Sequence, residues 1–320
     1  MVIADYAGGE TIPNINVDLC GARLKNPTII ASGILGVTGA SMCYCAQNGA
    51  GAITTKSVSL KPRAGHANPT IITFETGMLN AVGLSNPGID YESHEVEYAI
   101  QHAGVPIIAS VFGNSVDEFV ELVKRMSELK PKPALIELDI SCPNVHDEFG
   151  LQFACSATSA AEVTRAAKKV ASVPLAIKLA PNVPSIAQIA REVEKAGADA
   201  LTVINTIPGM VIDIKSRRPV LHNRSGGVSG PALKAVAVKC VYEAYEAVKI
   251  PIIGTGGITY GKDVVEMIMA GATTLGIGSA IYYRGVDVFQ KVTAELRGFM
   301  EQEGYGSLKE MRGVAHEQRQ

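Results

Sequence analysis

The sequence predicts a (β/α)8 barrel, and three observations carry that prediction. Eight short apolar runs recur along the chain, at 27–31, 52–55, 106–111, 135–140, 175–179, 200–204, 250–254 and 274–277. Each is followed by a segment with helical spacing: 40–47, 91–102, 116–129, 159–171, 186–196, 232–248, 262–270 and 287–301. Finally, one device recurs in Asn48-Gly49-Ala50-Gly51-Ala52, Lys195-Ala196-Gly197-Ala198-Asp199-Ala200 and Met269-Ala270-Gly271-Ala272-Thr273. In each, a glycine just past a helix permits the left-handed turn that leads into the next buried strand. Strand-helix units joined by right-handed crossovers close into a barrel, with a doubly wound open sheet as the alternative.

The elements follow in order. Ahead of the barrel, 15–19 and 22–24 flank Gly21 and read as a small hairpin. The eight barrel runs are short and mainly apolar, as buried strands are. Among the helices, 116–129 carries Phe119, Leu122, Val123 and Met126 at i, i+3, i+4 and i+7, a stripe that packs on a sheet. Thr158 or Ser159 and Ser185 stand where N-caps belong. The polar, glycine-containing segment between Cys142 and Thr158 is long for a βα loop and reads as a lid. The segment 307–320 is polar, and no function is assigned to it.

Composition narrows the class. The chain has 320 residues, 47% hydrophobic and 19% charged, with formal net charge -2. One barrel with insertions accommodates that length, so a single domain over 1–320 is expected. The near-neutral balance and the lack of a long basic run point away from nucleic acid and toward a small-molecule ligand. Cysteines at 20, 43, 45, 142, 155 and 240 form no CxxC and no regular framework, so neither disulfides nor an iron-sulfur cluster within the chain is expected. A reducing cytoplasm suits them. No HExxH or His-x-His pattern suggests a metal site. There is no basic-then-apolar leader and no apolar run of about 18 residues, so neither secretion nor a membrane span is expected.

Barrels place function at the C-terminal ends of their strands. There the sequence sets Ala31, Ser32 and Gly33; Lys56 and Ser57; Ser110 and Gly113; Asp139 through Asn144; Lys178; Asn205 and Thr206; Gly254 to Gly257; and Gly276, Gly278 and Ser279. The glycine turns after the seventh and eighth strands are where barrels hold a phosphate through backbone N–H groups. Most lysines are solvated surface residues, but Lys56 and Lys178 directly follow apolar strand residues. Cys142, between Ser141 and Pro143 just past a buried strand, is a thiol placed to do chemistry. With an ordinary pKa of about 8.5, modest stabilisation of its thiolate makes it a base or nucleophile near neutral pH. A half-buried structural thiol is the ordinary alternative.

These residues fall in segments that resemble the dihydroorotate dehydrogenases, within them the two-subunit, NAD-linked class labelled 1B. The resemblance covers 15–281. It rests on Lys25-Asn26-Pro27 leading to Ala31-Ser32-Gly33, Thr55-Lys56-Ser57, Gly77-Met78-Leu79-Asn80-Ala81-Val82-Gly83-Leu84 with Asn86-Pro87-Gly88, and Ile140-Ser141-Cys142-Pro143-Asn144. Further along, it includes Lys178-Leu179-Ala180-Pro181-Asn182, Ile204-Asn205-Thr206, Gly226-Gly227-Val228-Ser229-Gly230 and Gly254-Thr255-Gly256-Gly257. The resemblance implies an FMN enzyme that oxidises dihydroorotate to orotate in pyrimidine synthesis. Cys142 is then the general base at C5 while hydride leaves C6 for the flavin, a task suited to a base whose pKa lies near the working pH. The implied FMN contacts are Ala31, Ser32, Gly33, Lys56, Ser57, Ser110, Asp139, Lys178, Ile204, Gly230, Gly256, Gly257, Gly278 and Ser279. The implied substrate contacts are Lys56, Asn80, Ala81, Val82, Gly83, Leu84, Asp139, Asn144, Asn205 and Thr206. Members of the class pass electrons to a separate subunit carrying FAD and a 2Fe-2S cluster, with NAD as final acceptor, which implies a homodimer or a heterotetramer.

Two positions depart from the family pattern: Asp139 and Ser110 stand where asparagines are usual. An ionised Asp only accepts hydrogen bonds, so Asp139 is either protonated in a dry site, or bonded to donors alone, or matched to a different ring. The last keeps open a related dihydropyrimidine dehydrogenase or reductase acting on another cyclic amide. From another class, a cofactor-free barrel isomerase or lyase could hold a sugar phosphate on the same glycine turns. The fumarate-using class of dihydroorotate dehydrogenases also remains open.

Overall fold

The structure is a computed structural model that describes residues 13–141 and 156–317. In chain order its elements are β1 (Val17–Leu19), β2 (Ala22–Leu24), β3 (Thr28–Ile30), α1 (Gly39–Gln47), β4 (Ala52–Thr54), β5 (Ile71–Phe74), β6 (Gly77–Asn80), α2 (Ile89–His102), β7 (Ile107–Val111), α3 (Val116–Ser127), β8 (Leu135–Asp139), α4 (Ala157–Lys168), β9 (Leu175–Leu179), α5 (Ile186–Lys195) and β10 (Ala200–Val203). They continue with β11 (Ile207–Gly209), β12 (Ile212–Asp213), β13 (Arg218–Pro219), β14 (Gly226–Ser229), α6 (Lys234–Ala247), β15 (Ile252–Thr255), α7 (Gly261–Met269), β16 (Thr274–Ile277), α8 (Ala280–Arg284), α9 (Val288–Glu303) and α10 (Leu308–Met311).

Strands β3, β4, β7, β8, β9, β10, β15 and β16 pair in parallel, in that order, into a closed barrel. Closure is made by β16 against β3, with Leu275 opposite Thr28 and Ile277 opposite Ile30, which removes the open-sheet alternative. Every residue of β3, β4, β7, β8, β9, β10 and β16 is buried, because the barrel interior covers one face and the helices the other. The α3 stripe packs inward as its spacing predicts, and Ser115 caps it by accepting from Glu118 N–H. Ser185 caps α5 by accepting from Gln188 N–H. The α4 cap differs from the sequence expectation: the helix begins at Ala157, and Ser156 accepts from Ser159 N–H, so Ser159 contributes its amide and not its hydroxyl. On α2, the inward stripe is Ile89, Glu92, Val96 and Ala99, a carboxylic acid set among apolar residues.

The β1–β2 hairpin closes the N-terminal end of the barrel. Its Leu19 and Leu24 pack with Ile29, Ala52, Ile108, Leu135, Ala176, Ala200 and Ile253, each from a different barrel strand. The polar tail is also anchored: Leu308 and Met311 are buried, and the His316 ring stacks on Tyr242.

At the opposite end lies a feature that the hydropathy pattern did not announce, a four-stranded antiparallel sheet in the order β11, β14, β6, β5. Its strands belong to two excursions, one leaving the C-terminal end of β4 and the other that of β10, so the sheet forms over that rim. Leu79, Ala81 and Leu221 give it a small core of its own. Among the described residues, no helix is long and apolar enough to cross a membrane.

Candidate active site

Two carboxylates point into the barrel near its C-terminal mouth. Glu137 and Asp139 are two apart on β8 and therefore share a face, and both are buried. On the neighbouring strand, Lys178 is paired in register with Asp139. Its Nζ lies 3.5 Å from Asp139 Oδ2 and 4.0 Å from Glu137 Oε1. Glu137 is held by hydroxyls, accepting from Ser110 Oγ at 3.0 Å and from Thr202 Oγ1 at 2.7 Å. Because Ser110 donates to Glu137, its oxygen is free to accept from Ser57 Oγ, 2.9 Å away, and Ser32 Oγ stands 3.0 Å beyond Ser57. One hydroxyl chain thus crosses the ends of β3, β4, β7 and β8.

Asp139 is the hub. It accepts at Oδ1 from Ser141 Oγ at 2.6 Å, from Ser141 N–H at 3.3 Å and from Asn205 Nδ2 at 3.4 Å, and its Oδ2, 3.4 Å from Ser57 Oγ, competes with Ser110 for the Ser57 proton. Burial by itself pushes this carboxyl up. The Lys178 ammonium, the Ser141 hydroxyl, Lys56 and the Ser141 amide together outweigh burial and hold the carboxyl below its ordinary value. Asp139 is therefore ionised at neutral pH and surrounded by donors, which argues against a protonated Asp in a dry site.

The glycine turns occupy the other side of the mouth. Gly256 and Gly257 follow β15 at φ of 131° and 74°, backbone that favours glycine. A Cβ on Gly257 would stand 2.6 Å from Lys234 Cα, so this turn must pass close to the start of α6. At Gly278 a Cβ would find only ordinary contacts at 3.7 Å, with Ala31 and Ile34. Protein packing therefore does not require glycine there. The N–H groups of Gly257, Gly278 and Ser279 have no protein acceptor among the described residues. Unpaired backbone donors at the ends of two neighbouring strands suit a phosphate. Gly230 adjoins the same region: its Cβ would lie 3.1 Å from Tyr283 Oη on α8. Gly257→Ala is expected to destabilise the fold by about 1–3 kcal/mol, from the left-handed φ and the Lys234 backbone. It should also reduce retention of a phosphorylated ligand, checked by thermal unfolding and by ligand content after gel filtration.

The antiparallel sheet roofs the mouth. Asn80 ends β6 opposite Gly227 of β14, its Nδ2 3.4 Å from Gly227 O. Thr206 faces the same glycine, where a Cβ would stand 2.0 Å from Thr206 Oγ1. Asn205 Nδ2 donates to Ser141 Oγ at 2.8 Å, and its Oδ1 accepts from Thr206 N–H at 2.7 Å. Ala81 and Val82 run on from β6 to Gly83 and Leu84, both at positive φ, with Ala81 O beside His66 Nδ1. Ile204 is buried under the roof, its N–H donating to Thr255 O at 3.0 Å.

The structure therefore joins Ser32, Ser57, Ser110, Asp139, Lys178 and Asn205 into one network, with Lys56 bearing on Asp139 electrostatically. Asn80 and Thr206 meet across Gly227, while Ala31, Gly33, Gly230, Gly256, Gly257, Gly278 and Ser279 lie at the strand ends or turns already named. Cys142 and Asn144 lie outside the described residues. The sequence reading passed over Glu137 and Thr202, and set Ser141 on the rim without giving it a role. For Glu137 the available signal was an acidic residue inside a buried strand, two positions before Asp139 and so on the same face. The residues present fit a flavin mononucleotide in two respects: free amides for a phosphate and a buried cation beside an open rim.

Residues 14–300 match the family model described as dihydroorotate dehydrogenase. The chain is 46% identical over 301 residues to a protein of Methanosarcina acetivorans named dihydroorotate dehydrogenase B (NAD(+)), catalytic subunit, covering 94% of this chain and 96% of that one. Proteins of the same name from Methanocaldococcus jannaschii and Anoxybacillus flavithermus are each 43% identical, covering 95% and 93% of this chain and 98% and 94% of their own lengths. With a closed barrel, two buried cation-carboxylate contacts at its mouth and near full-length similarity to these proteins, the chain belongs to the dihydroorotate dehydrogenase family.

Proposed function

We propose that this chain is the catalytic subunit of an FMN-dependent dihydroorotate dehydrogenase, oxidising (S)-dihydroorotate to orotate in pyrimidine biosynthesis. The observation that carries the reading is the Lys178–Asp139–Asn205 network at the barrel mouth, facing a rim of unpaired backbone amides. The turns at Gly256, Gly257, Gly278 and Ser279 would hold the FMN phosphate, with Gly230 beside the ribityl chain and Ala31, Ser32 and Gly33 near the ring system. When bound, FMN supplies the acceptor for the hydride that leaves C6 of the substrate.

The chain's own residues do the rest. Lys178 presents a cation, which stabilises negative charge where it develops. Asn80, Asn205 and Thr206 offer amide and hydroxyl groups that can match the donor-acceptor edge of a cyclic imide, and the backbone of 81–84 borders the substrate carboxylate. Lys56 serves both ring and substrate. From the sequence pattern, Cys142 takes the C5 proton and Asn144 adds a further amide. The names of the relatives, which specify a catalytic subunit and NAD(+), support a partner subunit that carries the electrons onward. We assign that partner the FAD and 2Fe-2S cluster, and we place the assembly in the cytoplasm. A second reading, a related enzyme acting on a different cyclic amide, is favoured only by Asp139, an acceptor where the family usually has an amide.

The test is an absorbance spectrum of the chain reconstituted with FMN, before and after anaerobic addition of dihydroorotate. We expect a yellow protein whose visible flavin band bleaches. A yellow protein that bleaches with dihydrouracil but not with dihydroorotate transfers the weight to the second reading. A chain that takes up no FMN overturns both.

A further inference from the structure

We infer that Asp139 is a potential-setting residue: an ionised carboxylate that offsets the Lys178 charge and thereby weakens the site's preference for reduced over oxidised flavin. This rests on the FMN reading above and adds a property that the reading does not contain.

The argument begins with charge. Two electrons and one proton convert an oxidised isoalloxazine, neutral in its ring, to a ring that carries one negative charge at neutral pH. Any fixed charge nearby is therefore felt differently by the two redox forms, and a cation favours the reduced one. Lys178 is that cation, but it does not stand alone. Asp139 Oδ2 lies 3.5 Å from its Nζ, and Asp139 is 6% exposed, so water screens the pair poorly. Glu137 is the other carboxylate within reach of Lys178, at 4.0 Å, yet each of its oxygens is engaged by a hydroxyl donor, Ser110 or Thr202. Asp139 lies two residues nearer the mouth on the same strand and in register with Lys178. Its charge is thus closer to a ligand seated on the rim.

The hydrogen bonds at Asp139 Oδ1 do not need a carboxylate, whereas Ser57 and Lys178 lose their acceptor at Oδ2 in an amide. The partners of Asp139 are Ser141, Asn205, Ser57 and Lys178, and an asparagine oxygen can accept from Ser141 and Asn205 as the Asp does. A side-chain amide at 139 would therefore keep Oδ1 and its partners while removing one negative charge. Whatever the structural role of the position, the charge itself is separable, and the flavin potential reads it.

The experiment compares the FMN-loaded wild type with Asp139→Asn by redox titration against a dye of known potential, each at two ionic strengths. Removing the anion is expected to tighten reduced FMN relative to oxidised FMN by at least about tenfold, which is a rise of about 30 mV for a two-electron couple. Asp139→Ser, which is also neutral and can still bond Ser141, should move the potential in the same direction and serves should the asparagine variant fail to fold. A potential that stays the same or falls in a folded, flavin-loaded neutral variant overturns the inference while leaving the FMN reading intact. A wild-type chain that binds no FMN removes the reading and the inference together.

Discussion

Cys142→Ala is expected to retain its flavin and still bind orotate, but to lose dihydroorotate oxidation by about 10²- to 10⁴-fold, the range supplied by a positioned general base. The proposed chemistry separates two events, proton removal from C5 and hydride departure from C6, and only the first needs the thiol. The loss should therefore appear in the rate at which substrate bleaches the flavin, measured by anaerobic stopped flow, and not in flavin content. No other described thiol is positioned to compensate. Burial, with Asp199 and Asp18, pushes Cys20 up to about 11, and burial pushes Cys45 and Cys240 to about the same value. They remain protonated at working pH and are poor bases. The residue before Cys142 is firmly placed, since Ser141 bonds Asp139 through both its hydroxyl and its amide and accepts from Asn205. Undiminished bleaching in Cys142→Ala would refute the general-base assignment.

Glu92→Leu is expected to stabilise the protein strongly above pH 8 and much less at pH 5. Glu92 occupies a core position of the α2 stripe and is fully buried, and neither carboxylate oxygen has a hydrogen-bond partner among the described residues. Burial first, then the neighbouring Glu95, pushes its carboxyl up from 4.5 to about 8, and Lys56 only partly opposes this. The folded protein therefore keeps a proton that the unfolded chain releases once pH exceeds the ordinary value. Stability falls as pH rises from there, and the loss is complete above the folded value. A carboxyl moved that far costs on the order of 4 kcal/mol when pH lies above both values. Denaturant unfolding at pH 5 and pH 9 should show a gain from Glu92→Leu that is larger at pH 9 by about that amount. An equal gain at both pH values would mean that the acid is not protonated in the fold.

Much of the barrel could be read directly, because parallel strands covered on both faces leave contiguous apolar runs. Strands 175–179 and 274–277 fall where hydropathy puts them, and the others differ by one or two residues at their ends. The roof could not be read this way. Its strands 207–209 and 226–229 are Ile-Pro-Gly and Gly-Gly-Val-Ser, which carry little apolar signal and are held by backbone pairing to β6 and to each other. Rim residues such as Lys178 and Asp139 could be located from barrel geometry, but that gives position and not partners. The bonds from Glu137 to Ser110 and Thr202 join residues 27 and 65 positions apart, and no local pattern encodes them. The docking of the tail was illegible for a similar reason: Leu308 and Met311 are two apolar residues in a polar stretch, and their burial depends on the helices they meet.

The roof also bears on how the molecule acquires its site. Around the closed ring, β4 and β10 stand opposite each other, four places apart in a circle of eight. The two excursions that build the roof thus meet across the full width of the mouth, and Asn80 and Gly227, paired there, are separated by 147 positions in the chain. Closing so long a loop gains nothing until the intervening strands are in place. During synthesis, the first half of the chain can pair β6 with β5 but has nothing to place on the other edge of β6, which β14 occupies. The ceiling over the barrel mouth is therefore a late product of folding, complete only when both halves of the barrel have met.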